Sequence, residues 1–302
     1  MTQSGDLTEN APPGFTSDEV MQKANLENFA VASRLIPRRY REHLLAMYGF
    51  ARFVDDIGDL SSGDRTAQLN WAQLEIGRAF DGQGIHPIFV RAATSARALK
   101  MGIDPFLDLI QANRQDQIIR RYLSYLDLEQ YCSLSANPVG QMVLAIFGAT
   151  GDERSKRSDE ACTALQIIEH LQDVREDAEH DRIYLPKEDL DRFNVTEADL
   201  TKSTSSPVLC QLIAFESARA RTLLDASLDL VRLLHGWARI AVSGFIGGGL
   251  AQLDALSAAN FDVLSRPVKA TKSSMMKKTV RVYFSALRGK RPAHRDDLGT
   301  SR

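Results

Sequence analysis

The chain has 302 residues, 44% of them hydrophobic and 25% charged, which supplies a large core and excludes a disordered or fibrous protein. A formal net charge of -2 at pH 7 argues against general nucleic-acid binding, which calls for a strongly basic domain or stripe. The three cysteines, Cys132, Cys162 and Cys210, are odd in number and widely spaced, so neither a disulfide framework nor a zinc site is indicated and a cytoplasmic location is expected.

Residues 1–17 are polar and proline-containing, without the apolar core of a secretory signal, and are expected to form a disordered leader. One folded domain is expected over 18–290 and a disordered tail over 291–302. Across that body apolar residues recur at three-to-four spacing, while alternating Val/Ile/Thr-rich segments are nearly absent, which predicts an all-α chain. Breaks at Pro37, 61–63, 81–84, Gly102 with Pro105, Pro138, Gly151, Pro186 and Pro207 give about ten helices, two of them short. The stretch 201–206 reads as a loop before a long helix. No apolar run reaches the roughly 18 residues of a membrane span, the nearest being 142–148 and 240–250, so a soluble or peripheral protein is expected.

Two segments carry acidic stripes. In the first, Tyr48, Arg52, Asp55 and Asp59 are spaced by four, three and four residues and share a helix face, with Phe50, Phe53, Val54 and Ile57 beside them. In the second, Glu169, Asp173, Asp177 and Asp181 recur every four residues among Ile167, Ile168, Leu171 and Val174, the helix end relative to Asp181 being open. Like charges at this spacing cost a few tenths of a kcal/mol per pair on an isolated helix, and more where water is excluded. Bound cations would offset that cost. Carboxylates suit Mg²⁺, which keeps several waters and bridges a few carboxylates to phosphate oxygens. Asp55, Asp59, Glu169, Asp173 and Asp177 are therefore candidate ligands on two facing helices. A solvated acidic face is the alternative for either stripe alone; two stripes in apolar surroundings favour the metal.

None of the six histidines has metal-ligand spacing, and His170 is expected to point about 100° away from Glu169 and its stripe. Histidine catalysis is not expected. No P-loop and no G-x-G-x-x-G after a strand occurs, so nicotinamide use has no support. The glycines at 244–249 read as small residues that permit close helix packing.

Asp55-Asp56-Ile57-Gly58-Asp59 and Asp173-Val174-Arg175-Glu176-Asp177, the second followed by Asp181-Arg182-Ile183-Tyr184-Leu185-Pro186, resemble the two aspartate-rich motifs of the squalene/phytoene synthase family. The resemblance runs over 27–267 and implies the single-domain isoprenoid synthase fold, with helices around a central cavity. The stretches 27–37, which contains Asn28 and Phe29, and 131–140, which contains Tyr131 and Asn137, are similar to the hopanoid-associated squalene synthases of the C type. That similarity implies conversion of presqualene diphosphate to hydroxysqualene with two or three Mg²⁺ ions and without NADPH, water ending the cation cascade. It also implies functional coupling to a presqualene diphosphate synthase and to a squalene-forming oxidoreductase. Relatives that condense two farnesyl or geranylgeranyl diphosphates, and a non-catalytic assembly-factor relative, are the alternatives.

By carry-over from the family, Asp55, Asp59, Asp173, Asp177 and Tyr48 are catalytic, and Tyr48, Tyr131 and Gln166 line the cavity near the diphosphate. Arg52, Arg182 and Arg266 are candidates for phosphate oxygens, because guanidinium presents fixed paired donors. Phe29 and Tyr48 would stabilise carbocations by about 1 to 2 kcal/mol each in a dry site, and Asn28 and Asn137 are candidates for positioning water. A core role for Tyr131 and a surface role for Arg266 stay open. Two departures stand out: Glu169 where the family often has asparagine, and Gly247-Gly248-Gly249 where condensing relatives carry tyrosine. The second weakens the condensation reading.

Basic residues from Arg266 to Arg291 interleave with Met275, Met276, Val280, Tyr283, Phe284 and Leu287. An amphipathic helix on the anionic inner face of a membrane is one expectation. A terminal helix packed on the body with a solvated basic face is the other.

Overall fold

The structure, a computed structural model, describes residues 36–288. The expected leader and tail, and Asn28 and Phe29, lie outside the described residues. Twelve α-helices follow one another among the described residues: α1 Arg38–Asp59, α2 Arg65–Phe80, α3 Pro87–Ala98, α4 Asp104–Asp116, α5 Tyr125–Ser135, α6 Asn137–Ile146, α7 Asp152–Gln172, α8 Val174–Glu179, α9 Lys187–Arg192, α10 Pro207–Leu233, α11 Gly236–Ala258 and α12 Lys272–Arg288. One 3₁₀ turn, Glu197–Asp199, completes them, and among the described residues no strand forms beyond an isolated bridge between Arg121 and Ile183.

Local chemistry sets most of the boundaries. Asp64 caps α2 by accepting the Ala67 N–H at 2.9 Å, and Ser124 with Asp127 forms a reciprocal capping box at the start of α5. Pro207 opens the 27-residue α10 with Ser206 as its cap. The count exceeds ten because Ala136 divides α5 from α6 and Asp173 divides α7 from α8. Only α8 and α9, of 6 residues each, are short.

Burial organises these helices around two apolar clusters. The first joins α1 to α4 through Phe50, Phe53, Ile57, Ile76, Phe89 and Phe106, with Phe50 edge-on to Phe106 at 4.9 Å. The second joins α5 through α12 through Ile167, Leu171, Leu212, Leu224, Ile246 and Leu256. Helix α6 serves both, giving Met142 and Ile146 to the first and Leu144 to the second. Each fully buried side chain of this size contributes about 1.5 to 3 kcal/mol relative to exposure.

Helix α11 is gripped from two sides. A Cβ added at Gly247 would lie 2.6 Å from the Thr279 backbone nitrogen on α12, and one at Gly249 would lie 2.8 Å from Leu165 on α7 and 3.0 Å from Leu224 on α10. The packing role expected of the glycine run therefore holds at these two positions, whereas nothing approaches Gly244. Contrary to the sequence expectation, α11 is long and apolar enough to cross a membrane, the one such helix among the described residues, yet 56% of its most apolar window is buried inside the body. That is the character of a core helix.

Candidate active site at the seam between the two cores

The end of α1 brings the first acidic motif to the seam. Phe50, Phe53, Val54 and Ile57 turn into the core while Asp55 and Asp59 stay open to solvent, as the spacing predicts. Asp56, about 100° from Asp55, turns inward instead. Its carboxylate is 1% exposed and pairs with Arg52, Nε to Oδ1 at 2.9 Å. Arg52, expected to face phosphate, is thus committed to a neighbouring carboxylate, and Tyr48 is half-buried one turn earlier on the same face.

Helix α4 holds Asp55 in place. Asn113 Nδ2 donates to Asp55 Oδ1 at 3.0 Å and Gln117 Nε2 donates to the Gly58 carbonyl at 3.1 Å. Gly58 makes this approach feasible, because a Cβ there would meet Asn113 Oδ1 at 2.2 Å. Asp55 thereby combines an open face with crowded surroundings, as on the wall of a recess. Burial pushes its carboxyl up to about 6, opposed by the Asn113 hydrogen bond and reinforced by the charge of Asp59.

The second motif does not form one unbroken helix. Asp173 is at once the last cap of α7 and the first of α8, but Asp173 N–H still bonds to Glu169 O at 3.1 Å and Asp177 N–H to Asp173 O at 2.8 Å. Glu169, Asp173 and Asp177 therefore remain stacked at i, i+4, i+8. Asp181 leaves the stripe: its φ is 60° and its carboxylate pairs with Arg121 at 2.8 Å, 72% exposed. Burial, followed by the charges of Asp177 and Glu169, pushes the Asp173 carboxyl up to about 6.

Arg182 joins the two motifs, its Nη1 donating to Asp59 Oδ1 at 2.8 Å. Beneath that pair lies a polar cluster. Tyr131 O–H donates to Asp116 Oδ2 at 2.8 Å and Tyr184 O–H to Asp116 Oδ1 at 3.3 Å; burial raises the Asp116 carboxyl, the Tyr131 hydrogen bond lowering it in part. The His170 ring stacks on Tyr184 at 3.7 Å and 10° and its Nδ1 lies 3.7 Å from Asp177 Oδ2. His170 thus belongs to the site, against the expectation that it points away. The reason is that His170 and Asp177 are seven residues apart, about 20° short of two turns. Gln166, half-buried, lies within 3.2 Å of His170 Nε2. A small cleft opens beside His170, Asp177, Arg182 and Tyr184.

Among the described residues no three Asp, Glu, His or Cys side chains are gathered tightly enough to hold an ion by themselves. The arrangement suits a metal that takes one or two carboxylates and completes its shell with water and phosphate oxygens, which is the habit of Mg²⁺. Like-charge crowding at Asp55 and Asp173 is what such a cation relieves.

The squalene/phytoene synthase family pattern matches residues 23–274. The chain belongs to the squalene/phytoene synthase family. It is similar to the hydroxysqualene synthase of Zymomonas mobilis, 33% identical over 213 residues, 69% of this chain and 71% of that one. It is similar also to the phytoene synthase of Arthrospira platensis, 30% identical over 224 residues, 69% of this chain and 72% of that one. The crystal structure of squalene synthase HpnC from Alicyclobacillus acidocaldarius matches with a TM-score of 0.75 at 35% identity, over 85% of this chain and 99% of that one. The all-α isoprenoid synthase fold of the squalene/phytoene synthase family is therefore the fold of this chain.

Against the squalene/phytoene synthase motifs, the structure gathers Asp55, Asp59, Arg182, Tyr131, Asp177 and Gln166 along one seam. Asn137 is nine-tenths buried and accepts the Thr163 hydroxyl at 3.1 Å, so the oxygen of that candidate water-positioning side chain is already engaged. Arg266 is exposed on the loop between α11 and α12. Asn113, Asp116 and Tyr184 went unsingled by the sequence reading. Asn113, Asp116 and Gln117 share one face at i, i+3, i+4, the last as the C-cap of α4, but Asp104, Asp108, Gln111, Arg114 and Gln115 make the helix polar elsewhere too, so that face does not stand out in the sequence.

Proposed function

We propose that this chain converts presqualene diphosphate to hydroxysqualene and diphosphate in a Mg²⁺-dependent reaction. The observation that carries the reading is the seam itself, where solvent-open Asp55 and Asp59 on α1 are tied through Arg182 to the segment that follows Asp173 and Asp177. Similarity to the Zymomonas mobilis hydroxysqualene synthase supplies the reaction.

Magnesium, when bound, supplies positive charge against the diphosphate oxygens and the departing leaving group. Asp55, Asp59, Asp173 and Asp177 would hold it, with Glu169 one turn before Asp173 as a further donor. The residues of the chain do the remainder. Arg182 sits where its guanidinium can reach diphosphate oxygens by paired hydrogen bonds. Tyr131 and Tyr184, both buried and fixed by Asp116, brace the wall behind that guanidinium. In the overall change the carbon–oxygen bond to diphosphate breaks with its electron pair leaving on diphosphate, a water oxygen bonds to the rearranged cation, and one proton is released. Oxidation state is balanced without a reductant, so no NADPH is required.

The second reading, condensation of two farnesyl or geranylgeranyl diphosphates, draws on similarity to the Arthrospira platensis phytoene synthase. Against it stands Gly247, which faces Thr279 on α12 and offers no hydroxyl. A non-catalytic role is disfavoured by the retention of both aspartate motifs. The deciding experiment supplies purified protein and Mg²⁺ with presqualene diphosphate, without NADPH, followed by extraction and mass spectrometry, with Asp55→Ala as control. Hydroxysqualene absent from the control is the expected result. Untouched presqualene diphosphate with consumption of farnesyl or geranylgeranyl diphosphate gives the condensing reaction instead.

A further inference from the structure

Helix α12 packs on the body through one face only. Val282 and Ala286 are buried, Thr279 meets Gly247, and Lys278 is tied to Asp254. The opposite face carries Met276, Val280, Phe284 and Leu287, exposed by 64%, 45%, 52% and 49%. Their spacing of four, four and three residues places them in one arc of about 80° on a helix of 100° per residue. Tyr283 lies at its margin, its ring 5.5 Å from that of Phe284.

Charge borders this stripe. Lys277, Arg281 and Arg288 occupy the next arc of about 40°, and Lys272 stands on the other edge. All four are exposed. Lys277, Arg281 and Arg288 take no carboxylate partner among the described residues, in contrast to Lys278. The sequence continues with Lys290 and Arg291. Large apolar side chains in a single outward row with unpaired cations along its border form the pattern of a helix lying in a lipid interface.

We propose that this outward face of α12 docks on an anionic phospholipid surface. Charge complementarity selects that occupant. A second copy meeting the same face about a two-fold axis would set Lys277, Arg281 and Arg288 against their own counterparts, whereas an anionic bilayer offers phosphates to the cations and its acyl boundary to Met276, Val280, Phe284 and Leu287. The site residues lie on other helices, so loss of vesicle binding and loss of the proposed reaction are separately readable.

Deleting α12 would uncover Gly247 and the core behind it, so the test uses substitutions on the exposed face of the full chain. Cosedimentation with mixed phosphatidylglycerol–phosphatidylcholine vesicles is compared with phosphatidylcholine alone, at low and raised salt. Binding that needs the anionic lipid and weakens with salt is expected. Combining Lys277→Glu, Arg281→Glu and Arg288→Glu should lower affinity about 100-fold, and Met276→Ser with Phe284→Ser should abolish binding, each with an unchanged thermal unfolding curve. Absence of binding, or equal binding by the wild-type chain and both variants, overturns the proposal. So does a dimer in light scattering that Phe284→Ser dissociates, because the face then belongs to a second copy.

Discussion

Arg182 Nη1 and Asp59 Oδ1 are 2.8 Å apart, across 123 residues of sequence. One ion pair thus joins the end of α1 to the turn after α8, and Arg182 is only 18% exposed while Asp59 is 51% exposed. Replacing Arg182 by Gln should lower turnover at least tenfold while costing only about 1 kcal/mol of stability, since one partner is half open to water. A double-mutant cycle with Asp59→Asn should show a coupling energy of about 0.5 to 1 kcal/mol in chemical denaturation. Strict additivity would mean that the pair does not couple the two motifs.

Gly58→Ala places a methyl group against Asn113 Oδ1. Expected are a loss of about 1 to 3 kcal/mol by overpacking and weaker Mg²⁺ binding, because the Asn113 hydrogen bond to Asp55 breaks. Adding Asn113→Ala to that variant should recover stability but not Mg²⁺ affinity. Thermal unfolding and titration calorimetry read the two separately.

Asp55 and Asp173 both have carboxyls pushed up to about 6. Their raised values make the metal-free chain gain from them at pH below the ordinary carboxylate range and lose that gain as pH rises through 6. Cation binding requires the deprotonated form, so Mg²⁺ affinity should fall as pH drops through 6, by up to about tenfold per unit for each carboxylate that must release a proton. Asp55→Asn should remove one such step. Thermal shift with Mg²⁺ and pyrophosphate between pH 5 and 8 is the measurement; a flat pH response would rule the coupling out.

Glu216 on α10 is 1% exposed and lies with Asp189 around Arg219, at 2.7 and 3.0 Å from its Nη1. Burial pushes the Glu216 carboxyl up to about 8, the nearby Arg219 charge opposing this. Its contribution is fully present below the ordinary carboxylate value and is lost as pH rises through 8. The wild-type melting temperature should therefore fall between pH 6 and 9, and Glu216→Gln should flatten that fall while leaving the Arg219–Asp189 pair. Parallel profiles would place the pH dependence elsewhere.

The all-α character and many helix boundaries were legible because they rest on local signals: the turns at 61–63 and 81–84, the prolines at 37, 138, 186 and 207, and the apolar period around Asp55, whereas the Ser124 capping box that opens α5 was passed over. The face shared by Tyr48, Arg52, Asp55 and Asp59 was legible for the same reason. What escaped depends on contacts between distant segments. Nothing near Asn113 announces that it holds Asp55, 58 residues away. The break at Asp173 leaves the i, i+4 bonding intact, so the sequence pattern of an unbroken helix survives it. His170 was assigned by its angle to Glu169, its neighbour, when its heptad distance to Asp177 was the relation that mattered.

Gly247 and Gly249 are two residues apart and so face nearly opposite sides of α11, one against the α12 backbone and the other against Leu165 of α7 and Leu224 of α10. Neither side leaves room for a methyl group, so the two positions fix how closely α11 lies against its neighbours. The surface helix α12 and helix α7, whose last turn carries Glu169 and delivers Asp173, thus rest against opposite faces of one core helix. Two missing methyl groups therefore set the spacing both of the surface helix and of the helix that leads into the second acidic motif.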